Sequence, residues 1–186
     1  MSILNLILVY ICLLVGEVHI PTKCCVPNQS PGYCAWASLE TLGNYLRIKP
    51  LYGLMESRKK DPPFVRRTWW VDFDGFHEML YSIDNNYGAW DSIQEKLISL
   101  GVKHKIQRNG VFNKTLIRES IRENLGCLVA VNSGLPTCDG SHGIIITDFS
   151  DTGYKYVDTN NINVDFYGTM QWFDRNWDGL VVVVYK

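Results

Sequence analysis

This chain has almost no net charge, and that absence limits the partners it can have. Over 186 residues, 18 Lys and Arg nearly balance 19 Asp and Glu, which leaves a formal net charge of −1. No basic stripe is present, so nothing favours a nucleic acid or an anionic membrane surface as a partner. No Cys-x-x-Cys pair and no zinc-finger spacing occur among the six cysteines. A structural zinc site is therefore not expected.

The chain also lacks an apolar run long enough to cross a bilayer, which takes about 20 residues in a helix. Its most apolar run, residues 3–16, contains one polar residue, Asn5. The run fits the core of a secretory signal peptide cleaved near Gly16, although a basic flank and a small-x-small cleavage pattern are missing. We therefore expect residues 1–16 to be a leader and the protein to be exported. The alternative is a natively packed N-terminal element in a cytoplasmic protein.

Repeats and low-complexity segments are absent, and 46% of the residues are hydrophobic. Residues 17–186 are therefore expected to form a single domain with a buried core. The six cysteines are Cys12, Cys24, Cys25, Cys34, Cys127 and Cys138. In an oxidising compartment, Cys24 or Cys25 could pair with Cys138. Cys127 opens an apolar run and is better interpreted as a buried core thiol.

The most informative stretch of the sequence surrounds Cys34. Gln29 lies five residues before it, the turn pair Pro31-Gly32 lies between them, and leucines at helical spacing predict a helix over residues 34–46. A thiol at a helix N-terminus meets free N–H groups and the positive end of the helix dipole, which favour the thiolate. A side-chain amide a short loop away is able to donate to an oxyanion beside that sulfur. The pattern predicts a nucleophile, Cys34, and an oxyanion donor, Gln29.

A nucleophilic cysteine needs a base, and His142 is the best placed histidine. It stands directly before Gly143 and the apolar run 144–146, at the expected mouth of a strand. His77 and His104 instead lie beside charged residues and are expected at the surface.

A turn signal at residues 150–153 separates two apolar runs, so the segment that begins at His142 is predicted to form a β-hairpin. Neighbouring strands lie about 5 Å apart, so the end of the second strand should come close to His142. Asp158 ends that strand and is the preferred group to orient the imidazole. Asn160, two residues later, is the alternative.

The chain divides into a helical half and a stranded half. Helices are predicted at residues 34–46, 76–83, 89–100 and from 113 or 115 to about 126, with a loop-rich stretch at 47–68. Strands are predicted at residues 102–107, 128–131, 143–149, 154–157 and 180–184. Helices followed by an antiparallel sheet indicate an α+β fold. In such a fold the helix carrying Cys34 packs on the sheet carrying His142, and a substrate would lie between them.

This order of a Gln, a Cys that opens a helix, a His at a strand and an Asp resembles the papain-like cysteine peptidases. The resemblance is greatest to their compact bacterial branches, the bacteriocin-processing peptidase-like proteins and the plant-pathogen effector cysteine peptidases. It covers roughly residues 24–186 and includes 170–184, which resemble the short helix and closing strand of the family. By position, the resemblance implies Gln29 as the oxyanion-hole amide, Cys34 as the nucleophile, His142 as the base and Asp158 as the orienting acid.

The chain departs from papain itself beside the cysteine and at the third position. Tyr33 precedes and Ala35 follows Cys34, whereas papain has a Gly-Ser or Gly-Ala pair before its cysteine and an aromatic residue after it. Papain also uses an Asn as its third member. The resemblance implies a thiol hydrolase, most simply a peptidase, that acts on a peptide or protein substrate without a metal or organic cofactor and without a membrane once the leader is removed. An amidase, an acyl or glutaminyl transferase, and an inactive binding module are the alternatives.

Overall fold

The structure is a computed structural model that describes residues 17–28, 33–60, 64–72, 75–83, 90–108, 114–132 and 142–186. The helices of this part are α1 (Cys34–Leu46), α2 (Leu54–Lys60), α3 (Trp90–Ser99), α4 (Lys114–Arg122) and α5 (Met170–Asn176). Its strands are β1 (Phe64–Asp72), β2 (Gly75–Ile83), β3 (His104–Arg108), β4 (Cys127–Val131), β5 (His142–Phe149), β6 (Gly153–Val157), β7 (Asp165–Thr169) and β8 (Trp177–Val184). Short 3-10 turns at Thr22–Cys24 and Lys49–Leu51 flank α1.

Six of these strands form one antiparallel sheet in the order β3-β8-β4-β5-β6-β7, whereas β1 and β2 form a separate hairpin. Every residue of β4 is buried, and seven of the eight residues of β5 are too. Their central residues, 128–131 in β4 and 144–146 in β5, are therefore continuous apolar runs in which apolar and polar residues do not alternate. Helices α1 and α4 both pack against β4 and β5. The predicted α+β arrangement, a helix carrying Cys34 packed on a C-terminal antiparallel sheet, is confirmed.

Helix α1 has the bounds predicted from the sequence. Its apolar positions face the core, where Trp36, Leu39 and Leu42 are completely buried. The helix ends because Arg47 adopts a left-handed conformation, with φ 60°, and donates its N–H to the carbonyl of Gly43. The first turn of α1 therefore lies against the sheet, with Cys34 as its first residue.

Two expectations about residues 47–83 are wrong. The predicted helix at residues 76–83 is strand β2, paired with β1 from Phe64↔Ile83 to Asp72↔Gly75. The stretch expected to be loop-rich contains α2 and the start of β1. Apolar residues in 76–83 recur at a spacing that fits a helix, but a short apolar run does not separate helix from strand. Pairing with a neighbouring run rich in β-branched and aromatic residues decided the outcome.

The residues before the site, 17–28, form what we call the leading segment. It starts at the sheet, where Glu17 pairs with Lys155 at 2.8 Å. Val18 donates its N–H to the carbonyl of Thr147 at 2.7 Å, beside a register shift in the pairing of β5 with β6. The segment then passes α1 and ends at Asn28. Among the described helices, none is long and apolar enough to cross a membrane.

Candidate active site

Cys34 is the first residue of α1, and only 7% of its surface is exposed. Its sulfur accepts hydrogen bonds from the N–H of Gly143, at an N···S distance of 3.4 Å, and from the N–H of Ala35. Helix N-termini and N–H donors both favour a negative sulfur. The thiol therefore lies in the kind of surroundings that stabilise a thiolate.

Gly143 is the point at which β5 meets the start of α1. A Cβ at this position would lie 3.1 Å from the Cα of Ala35 and 3.1 Å from Cδ1 of Leu128, closer than side chains normally approach. The carbonyl of Gly143 also accepts from the hydroxyl of Ser38 at 3.3 Å. Because no side chain separates the strand from the helix, the residue before Gly143 reaches Cys34.

That residue is His142, whose side chain is buried between Cys34 and Asp158. Its Nε2 lies 2.8 Å from Oδ1 of Asp158, and both side chains are at most 2% exposed. The imidazole also hydrogen-bonds with the thiol of Cys34. Since Nε2 is engaged by the carboxylate, Nδ1 is the nitrogen that remains for the sulfur. One ring therefore connects the thiol to the acid.

These contacts shift the pKa values of the thiol and the imidazole in opposite directions. Burial alone raises the pKa of Cys34 above its usual 9.0, but the hydrogen bond and charge of His142, with the N–H groups of Gly143 and Ala35, outweigh burial and lower it. Burial lowers the pKa of His142, but hydrogen bonds to Asp158 and Cys34 and their charges raise it to about 10. Both shifts favour a thiolate beside an imidazolium at neutral pH.

The carboxylate of Asp158 is held by the turn that follows β6. Oδ1 of Asp158 accepts the N–H of Asn160 at 2.8 Å, in addition to its contact with His142. The carbonyl of Asp158 accepts the N–H of Asn161 at 2.9 Å, so a tight turn with an Asx-type side-chain bond forms here. Of the two groups considered for the third position, the structure places the Asp158 carboxylate against the imidazole, while Oδ1 of Asn160 accepts from the side chain of Asn28.

The structure thus brings together three of the four residues singled out in the sequence: Cys34, His142 and Asp158. Their catalytic roles stay predictions. Gln29 lies outside the described residues. Sequence reasoning missed the N–H of Gly143 as a donor to the sulfur. A glycine between a candidate base and a buried strand was the available signal, because glycine often marks close backbone approach in a strand.

The other described cysteines are in different surroundings. Cys24, Cys25, Cys34 and Cys127 are free thiols in the part of the chain that the structure describes. Cys138 lies outside the described residues, so a bridge from Cys24 or Cys25 to Cys138 stays a prediction. Burial raises the pKa of Cys127 to about 12, and burial with nearby negative charge raises that of Cys25 to about 11. Cys34 is the thiol in this part of the chain whose pKa is lowered. Within the same residues, no cluster of three His, Cys, Asp or Glu side chains could hold a metal ion.

Comparison with known proteins gives a structural similarity only. No family model matches the chain, and no curated protein matches its sequence. Among solved structures, a double glycine motif protease from an AMS/PCAT transporter, in complex with the leader peptide, is similar over 91% of this chain and 93% of that chain, with a TM-score of 0.52 and 17% identity. PepW from Lactobacillus rhamnosis HN001 matches at 11% identity and a TM-score of 0.34, over 79% of this chain and 48% of that chain. At 17% identity, the first similarity shows a shared fold.

Proposed function

We propose that this chain, whose fold is that of the papain-like cysteine peptidases, is a thiol hydrolase that cleaves peptide bonds. Cys34 is the nucleophile, His142 the general base and acid, and Asp158 the group that orients the imidazole. Gln29 and the backbone N–H of Cys34 are the proposed oxyanion donors.

The observation that carries the proposal is the position of His142 between a thiol and a buried carboxylate. A nucleophile in hydrogen-bond contact with a base, and that base in contact with an orienting group, is the arrangement that activates a cysteine. The opposite pKa shifts of Cys34 and His142 support the same assignment, because a thiolate at neutral pH is the reactive form.

In the first half of the reaction, the sulfur of Cys34 bonds to the substrate carbonyl carbon, and the carbonyl electron pair moves onto oxygen. That oxyanion would be stabilised by the proposed donors. It collapses as His142 gives its Nδ1 proton to the leaving amine, so the C–N bond breaks and a thioester to Cys34 remains.

In the second half, neutral His142 takes a proton from water, and the hydroxide oxygen bonds to the thioester carbon. Collapse of the second oxyanion breaks the S–C bond, releases the carboxylic acid and restores the thiolate beside the imidazolium. Asp158 stabilises the imidazolium and fixes which ring nitrogen faces the sulfur.

A peptide is the proposed substrate class because the solved structure with a shared fold is a protease bound to a leader peptide. That protein is a double glycine motif protease, so a peptide containing Gly-Gly is the first substrate to test. A protein substrate offers the same kind of peptide bond in an exposed segment of its chain.

The test is digestion of a proteome-derived peptide library, followed by identification of new termini. We expect wild-type protein to create new termini that Cys34→Ala does not create, while Cys24→Ala, which removes another free thiol, retains the wild-type pattern. A labelled amine in the same assay separates hydrolysis from acyl transfer. Identical products from wild type and Cys34→Ala would contradict the proposal.

A further inference from the structure

At the candidate site, strand β5 has β4 on one side and helix α1 on the other. The pairing of β6 with β5 begins at Ile145, so Gly143 lies beyond it, while Ala130 of β4 lies opposite Gly143. In an antiparallel pair, a residue either exchanges both of its backbone hydrogen bonds with the residue opposite or directs both away from it. The N–H of Gly143 donates to the sulfur of Cys34, at an N···S distance of 3.4 Å. Its carbonyl therefore also points away from β4, toward α1.

Ser38 supplies the donor for that carbonyl. Its hydroxyl donates to the oxygen of Gly143 at 3.3 Å, and both residues are buried. Ser38 follows Cys34 by one helical turn, so the two lie on the same face of α1. One face of the helix thus holds both backbone groups of Gly143, the N–H through residue 34 and the carbonyl through residue 38. Loss of the Ser38 hydroxyl would leave a buried carbonyl without this donor, which favours movement of the strand relative to the helix.

The sulfur of Cys34 depends on this contact through one of its two N–H donors. The N–H of Ala35 belongs to α1 and moves with Cys34, whereas that of Gly143 belongs to β5. The charge that acts on the sulfur is that of His142, whose ring is held by Asp158. The N–H···S bond from Gly143 is therefore the part of these surroundings that the Ser38 bond controls most directly.

We propose that Ser38 is a positioning residue that keeps the N–H of Gly143 on the Cys34 sulfur and so supports the thiolate. The proposal deepens the function given above and rests on it. Ser38 acts through Gly143 and not through the reacting atoms. If Ser38 only filled space in the core, replacing it would change the free energy of unfolding but not the acidity of the thiol.

The pH dependence of alkylation separates these two roles. Iodoacetamide reacts with the thiolate: the Cys34 sulfur bonds to the methylene carbon of the reagent, and iodide leaves. The mass of the peptide that contains Cys34 reports its modification apart from that of the other cysteines. A plot of the second-order rate constant against pH then gives two quantities. The midpoint reports the pKa of Cys34, and the plateau at high pH reports the reactivity of the thiolate itself.

We expect Ser38→Ala to raise the midpoint by about 0.5–1 pH unit. Complete loss of a hydrogen bond to a charged group corresponds to about 1–2 pH units, and this variant weakens the bond without removing its N–H donor. The plateau should stay equal or increase by about 1.5- to 3-fold, because a less stabilised thiolate is a stronger nucleophile. Alanine favours the helix, so α1 should be retained, which circular dichroism checks.

Ser38→Thr and Thr41→Val are the matched variants. Ser38→Thr keeps the hydroxyl and adds a methyl group at a completely buried position, so it should lower the free energy of unfolding and keep the midpoint within about 0.3 pH unit of wild type. Thr41→Val removes another completely buried hydroxyl of α1, one that accepts from the N–H of Val26. It should also destabilise the protein and leave the midpoint in the same range, because that bond holds the leading segment and not β5.

A midpoint that Ser38→Ala leaves unchanged, or that Ser38→Thr or Thr41→Val raises equally, would overturn the role of Ser38 and leave the proposed function standing. A lower plateau in Ser38→Ala would do the same, because it would indicate a general disturbance of the site. A wild-type midpoint at or above 9.0 would overturn the proposed function and the role of Ser38 with it.

Discussion

At the residue scale, the charge of His142 depends on its two neighbours, the thiol of Cys34 and the carboxylate of Asp158. A histidine this deeply buried would ordinarily lose its charge, because burial disfavours the imidazolium. The two hydrogen bonds and the negative charges at their ends reverse that effect and raise the pKa to about 10. The imidazolium is therefore maintained by its partners, and removing either partner should change the range of pH in which it exists.

The first prediction concerns the carboxylate. Asp158→Ala should lower kcat by about 100-fold or more, as expected when a group that orients a catalytic imidazole is lost. In the wild type, kcat/KM should fall as pH rises through about 10, where His142 loses its proton. Because Asp158 raises the pKa of His142, this basic limb should move to lower pH in Asp158→Ala. The measurement is the pH dependence of kcat/KM for a peptide found in the library.

Asp158→Asn is the matched comparison for this prediction, since it keeps an acceptor oxygen and removes the charge. It should lower kcat less than Asp158→Ala and should still shift the basic limb. If Asp158→Ala were near-silent and Asn160→Ala severe, Asn160 and not Asp158 would be the third member.

At the scale of helices and strands, the geometry of the site depends on the contact between the start of α1 and β5. Both elements are fixed by the core: Trp36 in α1 and Ile144 to Ile146 in β5 are completely buried. Their separation at the site is therefore set by packing and by the absence of a side chain at Gly143. The distance between Cys34 and His142 therefore depends on how closely α1 approaches β5 at Gly143.

Gly143→Ala should disturb this contact between α1 and β5. The added methyl would meet the backbone of Ala35, which cannot move without moving α1, and Leu128, which can change its side-chain conformation. We expect a loss of about 1–3 kcal/mol in the free energy of unfolding, the usual cost of overpacking, and a clear fall in the rate at which iodoacetamide modifies Cys34. Urea unfolding and alkylation kinetics measure the two effects.

Gly101→Ala is a suitable control for Gly143→Ala. Gly101 has φ +65° and open space around its Cα, so alanine there introduces backbone strain without a clash near the site. It should destabilise the protein and leave Cys34 reactivity unchanged. Full reactivity of Cys34 in a stable Gly143→Ala variant would show that the close approach is not needed.

Some of these helices and strands could be predicted from the sequence and others could not. The bounds of α1 were predictable because its leucines repeat at helical spacing, and β5 and β6 because apolar runs flank a turn signal. Strand β2 was not, since only its pairing with β1 separates a strand from a helix there. Strand β7 was missed because it is an edge strand whose residues are exposed or half-buried, so it carries no apolar run.

Likewise, some contacts of the candidate site could be predicted from the sequence and others could not. The proximity of His142 to Asp158 was predictable because both lie on one hairpin. The contact of Cys34 with Gly143 was not, because it depends on how closely two elements distant in sequence approach. The link between Asn28 and Asn160 was hidden for the same reason.

At the scale of the whole molecule, the leading segment joins the sheet to the site. Val18 and Ile20 are buried in the common core, and the segment ends at Asn28, which bonds to the turn that follows Asp158. The predicted leader, residues 1–16, lies outside the described residues, so export stays a prediction. If the leader is removed near Gly16, the remaining chain retains every contact of the leading segment described here.

Intact mass of the protein recovered after expression in its natural host tests the leader. We expect a chain that begins close to Glu17, because the apolar run 3–16 has the composition of a signal-peptide core. The same measurement counts the disulfides. A full-length chain would contradict cleavage and would favour residues 3–16 as a native part of the protein.

The most direct test of the proposed catalytic pair is a titration of the Cys34 thiolate by its ultraviolet absorbance, taken as the difference between wild type and Cys34→Ala. We predict that the wild-type thiol titrates below 9.0, because His142 and backbone N–H groups lower the pKa of Cys34. We also predict that His142→Ala raises the pKa of Cys34, since burial still disfavours the thiolate and its positive partner is gone. A wild-type thiol that titrates at or above 9.0, or one that His142→Ala leaves unchanged, would contradict the claim that these two residues form a catalytic pair.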